Sequence, residues 1–66
     1  MAIATVMINA LNLFEKLIAG YRYTFNELLS ICNYTSTELC MALLYLIREG
    51  KMVQYRQHKV VYQMIG

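Results

Sequence analysis

The sequence predicts one mainly α-helical domain, residues 1–66, that ends in a β-hairpin. Three observations lead to this fold class. Apolar residues recur with helical spacing through residues 1–20, two helix-capping patterns follow within 24–49, and the spacing changes to every second residue over 51–65. The expected order is therefore a first helix, two further helices joined by a tight turn, and a two-stranded hairpin.

The first helix is predicted over residues 3–18, with Gly20 as the glycine that ends it. On a helical wheel, its apolar side extends over more than half of the circumference, whereas an ordinary surface helix buries a stripe of about 100°. Such a helix can face its own core and a second chain at once. The apolar side chains are Ile3, Val6, Met7, Ala10, Leu11, Leu13, Phe14, Leu17 and Ile18.

The composition also indicates an apolar surface that needs a partner. Hydrophobic residues make up 59% of the chain and charged residues only 15%. A domain of about 60 residues buries only about 60% of the surface that its unfolded chain exposes. We therefore expect a homodimer formed through the first helix. The side chains expected at its interface, beyond those assigned to a core stripe, are Val6, Ile8 and Leu13.

Two capping boxes start the helices in the middle of the chain. Thr24 precedes Glu27 by three residues, and Thr35 precedes Glu38 by the same spacing. In this pattern, the threonine hydroxyl and the glutamate carboxylate each bond the other residue's backbone N–H. Tyr23, just before the first box, is expected to pack on the helix that follows. The boxes predict a short helix over 25–32 and a longer one over 36–49.

A tight turn is expected between these two helices, because so few residues separate their predicted ends. Asn33 is the residue expected to adopt the left-handed conformation in this turn, since asparagine tolerates it better than most side chains. Gly50 is expected to end the longer helix.

The last segment, residues 51–65, is predicted to be an antiparallel hairpin. Both halves have the period of a strand, with β-branched and aromatic residues at every second position. In the first half, Val53 and Tyr55 alternate with Met52, Gln54 and Arg56, and in the second half Val60, Tyr62 and Met64 alternate with Val61, Gln63 and Ile65. The connection at Gln57, His58 and Lys59 lacks the Asn-Gly or Asp-Gly of a two-residue turn, so a loop of three to five residues is expected.

This order of elements resembles the winged helix-turn-helix superfamily. The helix after the turn has the apolar rhythm Leu39, Ala42, Leu43 and Leu46, it ends at a glycine, and Val53 opens the first strand of the wing. The size of the chain resembles small bacterial, plasmid or phage regulators. The resemblance implies that Tyr62 and Met64 are core positions, and that the protein binds double-stranded DNA as a transcription regulator.

In this superfamily, the exposed face of the helix after the turn lies in the major groove and the wing contacts the backbone. The charge distribution agrees with such a partner, because residues 48–66 sum to +3 and residues 1–47 to −1. The positions that match are Ser36, Thr37, Met41, Tyr45 and Arg48 in the helix, and Lys51, Arg56, His58 and Lys59 in the wing.

A second function is also open, because the helix after the turn departs from the superfamily pattern. Of its exposed side chains only Arg48 belongs to the types that make bidentate bonds to bases. Met41, Leu44 and Tyr45 are instead typical of protein interfaces. The alternative is a protein-binding winged-helix module, such as an inhibitor, adaptor or assembly factor.

Other classes of function lack the residues that they need. The chain has one histidine, no aspartate and no glycine-rich phosphate loop, so we expect no catalysis and no cofactor. Cys32 and Cys40 are too few to bind a structural zinc, and are interpreted as reduced core thiols, with Cys40 on the inward edge of its helix. The longest apolar run, Leu39 to Ile47, is too short to cross a membrane. We therefore expect a cytoplasmic protein that does not bind membranes.

Overall fold

The computed structural model describes residues 3–65 and combines three helices with one antiparallel sheet. The strand order in the sheet is β1–β3–β2, so the last strand in sequence lies in the middle. The three helices and the hairpin occur in the predicted order. The elements are α1 (Ile3–Lys16), β1 (Arg22–Thr24), α2 (Phe25–Ile31), α3 (Ser36–Arg48), β2 (Met52–Arg56) and β3 (Val60–Met64).

Both predicted capping boxes are confirmed. The Thr24 N–H donates to Glu27 Oε1 at 2.8 Å, and the Glu27 N–H donates to Thr24 Oγ1 at 3.2 Å. The box at Thr35 has the same pair of bonds to Glu38, at 2.9 and 3.1 Å. Each box satisfies backbone N–H groups that a helix start would otherwise leave without a partner. These four side chains therefore fix where α2 and α3 begin.

We expect Thr35→Ala to lower the free energy of unfolding by about 0.5–2 kcal/mol, because it removes the hydroxyl that accepts the Glu38 N–H. Thr24→Ala should cost a similar amount. Chemical denaturation measures both losses. Thr37→Ala, at an exposed position in the first turn of α3, is the matched control and should leave the midpoint unchanged or slightly higher, since alanine favours helix. An unchanged midpoint for Thr35→Ala would mean that the cap contributes nothing.

The turn between α2 and α3 does not use the left-handed conformation predicted for Asn33. Within residues 3–65, no residue other than glycine has a positive φ. Cys32 caps α2 in an extended conformation, and its N–H donates to the Leu28 carbonyl at 3.1 Å. Thr35 is extended as well. The chain therefore changes direction through extended residues, and the Tyr34 hydroxyl ties the turn to α1 by donating to the Asn9 carbonyl at 3.1 Å.

The end of α3 is the glycine stop predicted at Gly50. Its φ is +73°, and its N–H donates to the Ile47 carbonyl at 3.1 Å. The next N–H, of Lys51, donates to the Leu46 carbonyl at 2.9 Å. These two bonds form a Schellman motif, which satisfies the last carbonyls of the helix and directs the chain into β2.

Gly20 does not end α1 as predicted, since the helix stops at Lys16. The glycine has a φ of +84° and lies in the turn that leads to β1. Its N–H donates to the Met64 carbonyl at 3.3 Å, which joins this turn to the end of β3. The positive φ of Gly20 therefore allows the chain to turn from α1 into the sheet.

The hairpin is confirmed with a three-residue loop, residues 57–59, but the predicted two-stranded wing is incomplete. A third strand, β1, pairs with β3 so that Tyr23 lies opposite Tyr62. On the other side of β3, Gln54 lies opposite the same tyrosine. The segment just before the first capping box therefore belongs to the sheet as well as to the helix start.

The core lies between α1, α3 and one face of the sheet. All four predicted core positions of α3 are buried, as is Tyr62, while Met64 is half-buried and packs against the core. Strand β2 contributes Met52 rather than Val53 as its most buried side chain. The buried cluster consists of Ala10, Leu13, Leu17, Tyr23, Leu28, Cys32, Leu39, Ala42, Leu43, Leu46, Met52 and Tyr62.

Two sets of predictions about burial are wrong. Val6 and Leu13, expected to remain for a partner, are buried within the chain, and Leu13 has no exposed surface at all. Only Ile8 of that set is exposed. Cys40, expected in the core, is exposed, whereas Cys32 is buried, and both are free thiols. The errors arise from the rotation of each helix about its own axis. The side of α1 that faces the core is centred on Ala10 and Leu13, and that of α3 on Leu39 and Leu46.

None of the helices within residues 3–65 combines the length and the apolar character that crossing a bilayer would require.

Candidate nucleic-acid interface

The two faces of the sheet differ, because one contributes side chains to the buried core and the other does not. Side chains alternate along a strand, and Tyr23, Met52 and Tyr62, which share one face of the sheet, are buried in the core. We refer to the opposite face as the outer sheet face. It carries Arg22 and Thr24 from β1, Val61 and Gln63 from β3, and Val53 and Tyr55 from β2.

Arg22 lies across the outer sheet face and is held at two points. Its guanidinium carbon is 4.6 Å from the centre of the Tyr55 ring, in a cation–π contact. Its Nε–H group donates to Gln63 Oε1 at 3.3 Å. Because the two contacts come from different strands, they fix the direction of the long side chain while leaving its charge exposed to solvent.

Arg56 has an equivalent arrangement on the other face of the sheet. Its Nε–H group donates to Gln54 Oε1 at 3.3 Å, and Gln54 Nε2 donates to the Tyr62 hydroxyl at 3.1 Å. Tyr62 is buried. The exposed arginine at the end of β2 is therefore connected to the core through a half-buried glutamine.

These contacts orient both arginines without neutralising them. The hydrogen-bond acceptors are the amide oxygens of Gln63 and Gln54, which carry no charge. The carboxylates of Glu27 and Glu38, by contrast, accept backbone N–H groups at the starts of helices. A positioned cation with an uncharged partner retains its attraction for an external anion.

A cleft of about 320 Å³ opens where β1, α2 and the hairpin loop meet. It brings Arg22 together with His58 and Lys59, which lie far from it in sequence, and one wall is the Tyr55 side chain. The lining residues are Arg22, Thr24, Glu27, Tyr55, Gln57, His58, Lys59 and Val61.

Glu27 contributes a carboxylate to this cleft. The hydrogen bond from the Thr24 backbone, followed by the Thr24 side chain, lowers the pKa of Glu27 below its ordinary value, and the Lys59 charge acts in the same direction. The group is therefore ionised at neutral pH. The cleft holds the positive charges of Arg22 and Lys59 against this one negative charge.

The nine residues predicted to bind DNA do not form one continuous cluster. Eight of them are exposed, and Tyr45 is half-buried against the core. Loss of hydration, together with the Glu49 carboxylate, raises the pKa of Tyr45. The other four predicted residues of α3, which are Ser36, Thr37, Met41 and Arg48, lie on its exposed side.

The predicted wing cations point in three directions. His58 and Lys59 line the cleft, whereas Arg56 projects to the opposite face of the sheet. The Lys51 Nζ atom is 5.6 Å from the centre of the Phe14 ring, so this lysine is directed toward α1. Lys51 is therefore separate from the loop cations His58 and Lys59, with which it was predicted to act.

Arg22 is the functional candidate that the sequence interpretation missed, together with its contacts Tyr55 and Gln63. It was counted with the near-neutral body of the chain. A signal was present, since residues 21–24 alternate tyrosine with a polar residue in the manner of a short strand. Strand β1 brings this arginine into the basic region of the hairpin.

Metal-binding groups are sparse among residues 3–65, where no set of three or more His, Cys, Asp or Glu side chains lies close enough together to hold an ion.

Comparison of the chain with protein-family models, curated proteins and solved structures finds no match.

Proposed function

We propose that this protein is a small cytoplasmic, homodimeric, double-stranded-DNA-binding protein with a winged helix-turn-helix fold, and that it regulates transcription. The element order supports the fold: α2 and α3 joined by a tight turn, then a hairpin that begins directly after the glycine stop. The third strand is compatible with a wing, since it extends the hairpin into a three-stranded sheet while the loop residues Gln57, His58 and Lys59 remain exposed.

The observation that carries the proposal is the pair of arginines oriented by glutamines. Arg22 and Arg56 lie on opposite faces of one small sheet, and each is held by an uncharged amide. Lys59 lies at the loop between β2 and β3. DNA binding depends on cations that neutralise phosphates, and this phosphate contribution does not require base contacts. Duplex binding that weakens steeply with rising salt tests the proposal.

The α3 surface supports backbone contact more than base reading. Ser36 and Thr37 are exposed hydroxyls at the start of the helix, and Arg48 is exposed at its end. Hydroxyl and guanidinium groups both bond phosphate oxygens. Met41 offers an apolar contact to thymine methyl groups. We therefore propose modest sequence preference added to a strong electrostatic component.

The proposed dimer uses α1, but with a corrected set of side chains. Val6 and Leu13 are buried in the core, and the exposed apolar side of the helix consists of Met7, Ile8 and Leu11. These three positions adjoin one another at the spacing of a helix face. Removing such side chains from water contributes about 1.5–3 kcal/mol each when burial is complete.

We expect Ile8→Glu to produce a monomer, because it places a charge at the centre of this apolar side while leaving the core intact; Ile8 is 55% exposed in the protomer. Light scattering at micromolar concentration should give twice 7.7 kDa for the unmodified chain and 7.7 kDa for the variant. Thr5→Glu, which adds the same charge at an exposed polar position of α1, is the control and should remain dimeric. A monomeric unmodified chain would remove the dimer from the proposal.

A second candidate function is the protein-binding module, which the exposed apolar side chains of α3 favour. Leu44 is 57% exposed and Met41 is 39% exposed, with Cys40 beside them. These groups gain little from a phosphate backbone. If the chain binds no duplex, Leu44→Glu and Met41→Glu become the variants with which to test loss of a protein partner.

A further inference from the structure

The cleft beside the hairpin loop concentrates positive charge from two distant parts of the chain. We infer that Arg22, His58 and Lys59 form a phosphate-binding site, and that it takes a backbone phosphate of the nucleic acid. The source of the phosphate rests on the proposed function, whereas the site itself rests on the geometry of the cleft. Arg22 reaches it from β1, and the other two from the loop between β2 and β3.

Arg22 is prepared for a phosphate because most of its donors remain available. A guanidinium has five N–H donors, and the one on Nε is used by Gln63. The Tyr55 ring contacts the guanidinium without accepting a conventional hydrogen bond. The other four N–H groups are free of these two contacts. Arginine binds phosphate in a bidentate manner, so an arginine already fixed by its neighbours loses little conformational freedom on binding.

The size of the cleft suits a phosphate group. One water molecule needs about 10–15 Å³ of such space, so a cleft of about 320 Å³ is large enough to admit a phosphate group. Tyr55 and Val61 are half-buried and provide an apolar surface on one side. The lining of the cleft therefore combines positive groups with an apolar surface.

Glu27 tunes this site, since its carboxylate lines the same cleft. One of its oxygens accepts the Thr24 N–H, which gives the residue a structural role. Its negative charge nevertheless repels a phosphate. Glutamine also serves in capping boxes, so Glu27→Gln separates the two effects: it keeps the helix cap and removes the charge.

The first test measures duplex binding as a function of salt. Fluorescence anisotropy with a random-sequence duplex gives the slope of log affinity against log salt. Arg22→Ala should lower the magnitude of this slope by about one, because one phosphate contact is lost. Lys59→Ala, as the second variant of the site, should do the same. Lys16→Ala removes an exposed cation from the last turn of α1, away from the cleft, and should leave the slope unchanged.

The second test uses the two capping boxes as a matched pair. Glu27→Gln should strengthen the binding of inorganic phosphate, and with it the binding of duplex, by about two- to fivefold, the range expected for removing one exposed like charge. Glu38→Gln makes the same change in the box of α3, outside the cleft, and should not alter the response of the cleft to inorganic phosphate. Equal phosphate responses in the two variants would contradict the assignment of Glu27.

The third test separates the source of the phosphate from the existence of the site. Inorganic phosphate should shift the NMR signals of the Arg22 side chain and of the Lys59 backbone, and Arg22→Ala should abolish the Lys59 shift. If these shifts occur but Arg22→Ala leaves duplex binding unchanged, the site takes a small phosphorylated molecule. If phosphate shifts neither residue and the salt slope is also unchanged, the inference is wrong. A chain that binds phosphate but no duplex refutes only the proposed function.

Discussion

Replacing Leu13 by alanine is expected to lower the free energy of unfolding by about 2–5 kcal/mol. Leu13 has no exposed surface and lies in the cluster that joins α1 to α3 and the sheet. Alanine would leave a cavity that the neighbouring side chains fill only partly. Because a domain is stable by only about 5–15 kcal/mol, much of the population should unfold under mild denaturant.

Ile8→Ala is the control for the Leu13→Ala prediction. The two residues lie on the same helix, and both were expected at a dimer interface from the sequence. In the structure, Ile8 is exposed and Leu13 is buried. Urea denaturation should be measured at a protein concentration too low for dimers to form. Under that condition, Ile8→Ala should change the free energy of unfolding by no more than about 0.5 kcal/mol, as for most surface substitutions. Equal losses in the two variants would contradict the placement of α1.

The double change Arg56→Ala with Lys59→Ala should have the largest effect on duplex binding. Removing two phosphate contacts should lower the salt slope by about two and weaken binding by about a hundredfold near 0.1 M salt. The loss should be the same for any duplex, because phosphate contacts carry no sequence information. The ratio of affinities for a preferred and a random sequence should therefore remain nearly constant.

The contrasting variant is Met41→Ala, on the outward side of α3. It removes no charge, so the salt slope should be unchanged. If this side of α3 enters the major groove, the ratio of preferred to random binding should fall instead, as base contacts predict. A double wing variant that changed this ratio while leaving the salt slope intact would contradict the assignment of Arg56 and Lys59 to phosphates.

The features predicted correctly from the sequence are those that depend on neighbours along the chain. A capping box requires only a threonine and a glutamate three residues apart, and both boxes occur at the expected residues. The end of α3 at Gly50 likewise depends only on residues close to it in sequence. The hairpin has strands and loop close together in sequence, so its period and loop length were also readable.

The third strand could not be predicted in this way. Strand β1 has three residues, and it is a strand only because it pairs with β3, where Arg22 lies opposite Gln63. The alternation over residues 21–24 is too short to predict a strand by itself, and nothing local indicates a partner so distant in sequence. The same pairing creates the contact of Arg22 with Tyr55, so the most organised part of the candidate site depends on the one element that was missed.

The side of α1 that faces the core could not be predicted either, for a different reason. A helical wheel showed that the apolar side of α1 is too wide for one core, which is correct, since part of it is buried and part is exposed. Which part packs on α3 depends on the rotation of one helix against another. Sequence periodicity alone does not fix that rotation, so the buried Leu13 was assigned to the dimer interface, whereas the exposed Met7 and Leu11 were not.

The most direct test of the proposed function is the affinity of the unmodified chain for a random-sequence duplex, measured by fluorescence anisotropy over a range of salt. Arg22, Arg48, Arg56 and Lys59 are exposed, and the proposal assigns each of them a phosphate contact. With about 0.9 of slope for each phosphate contact, four contacts predict that log affinity falls against log salt with a slope of about −3.6 for each protomer bound. A chain that retains no duplex at low salt, or whose binding does not change with salt, would contradict the proposal that these positioned cations serve to bind DNA.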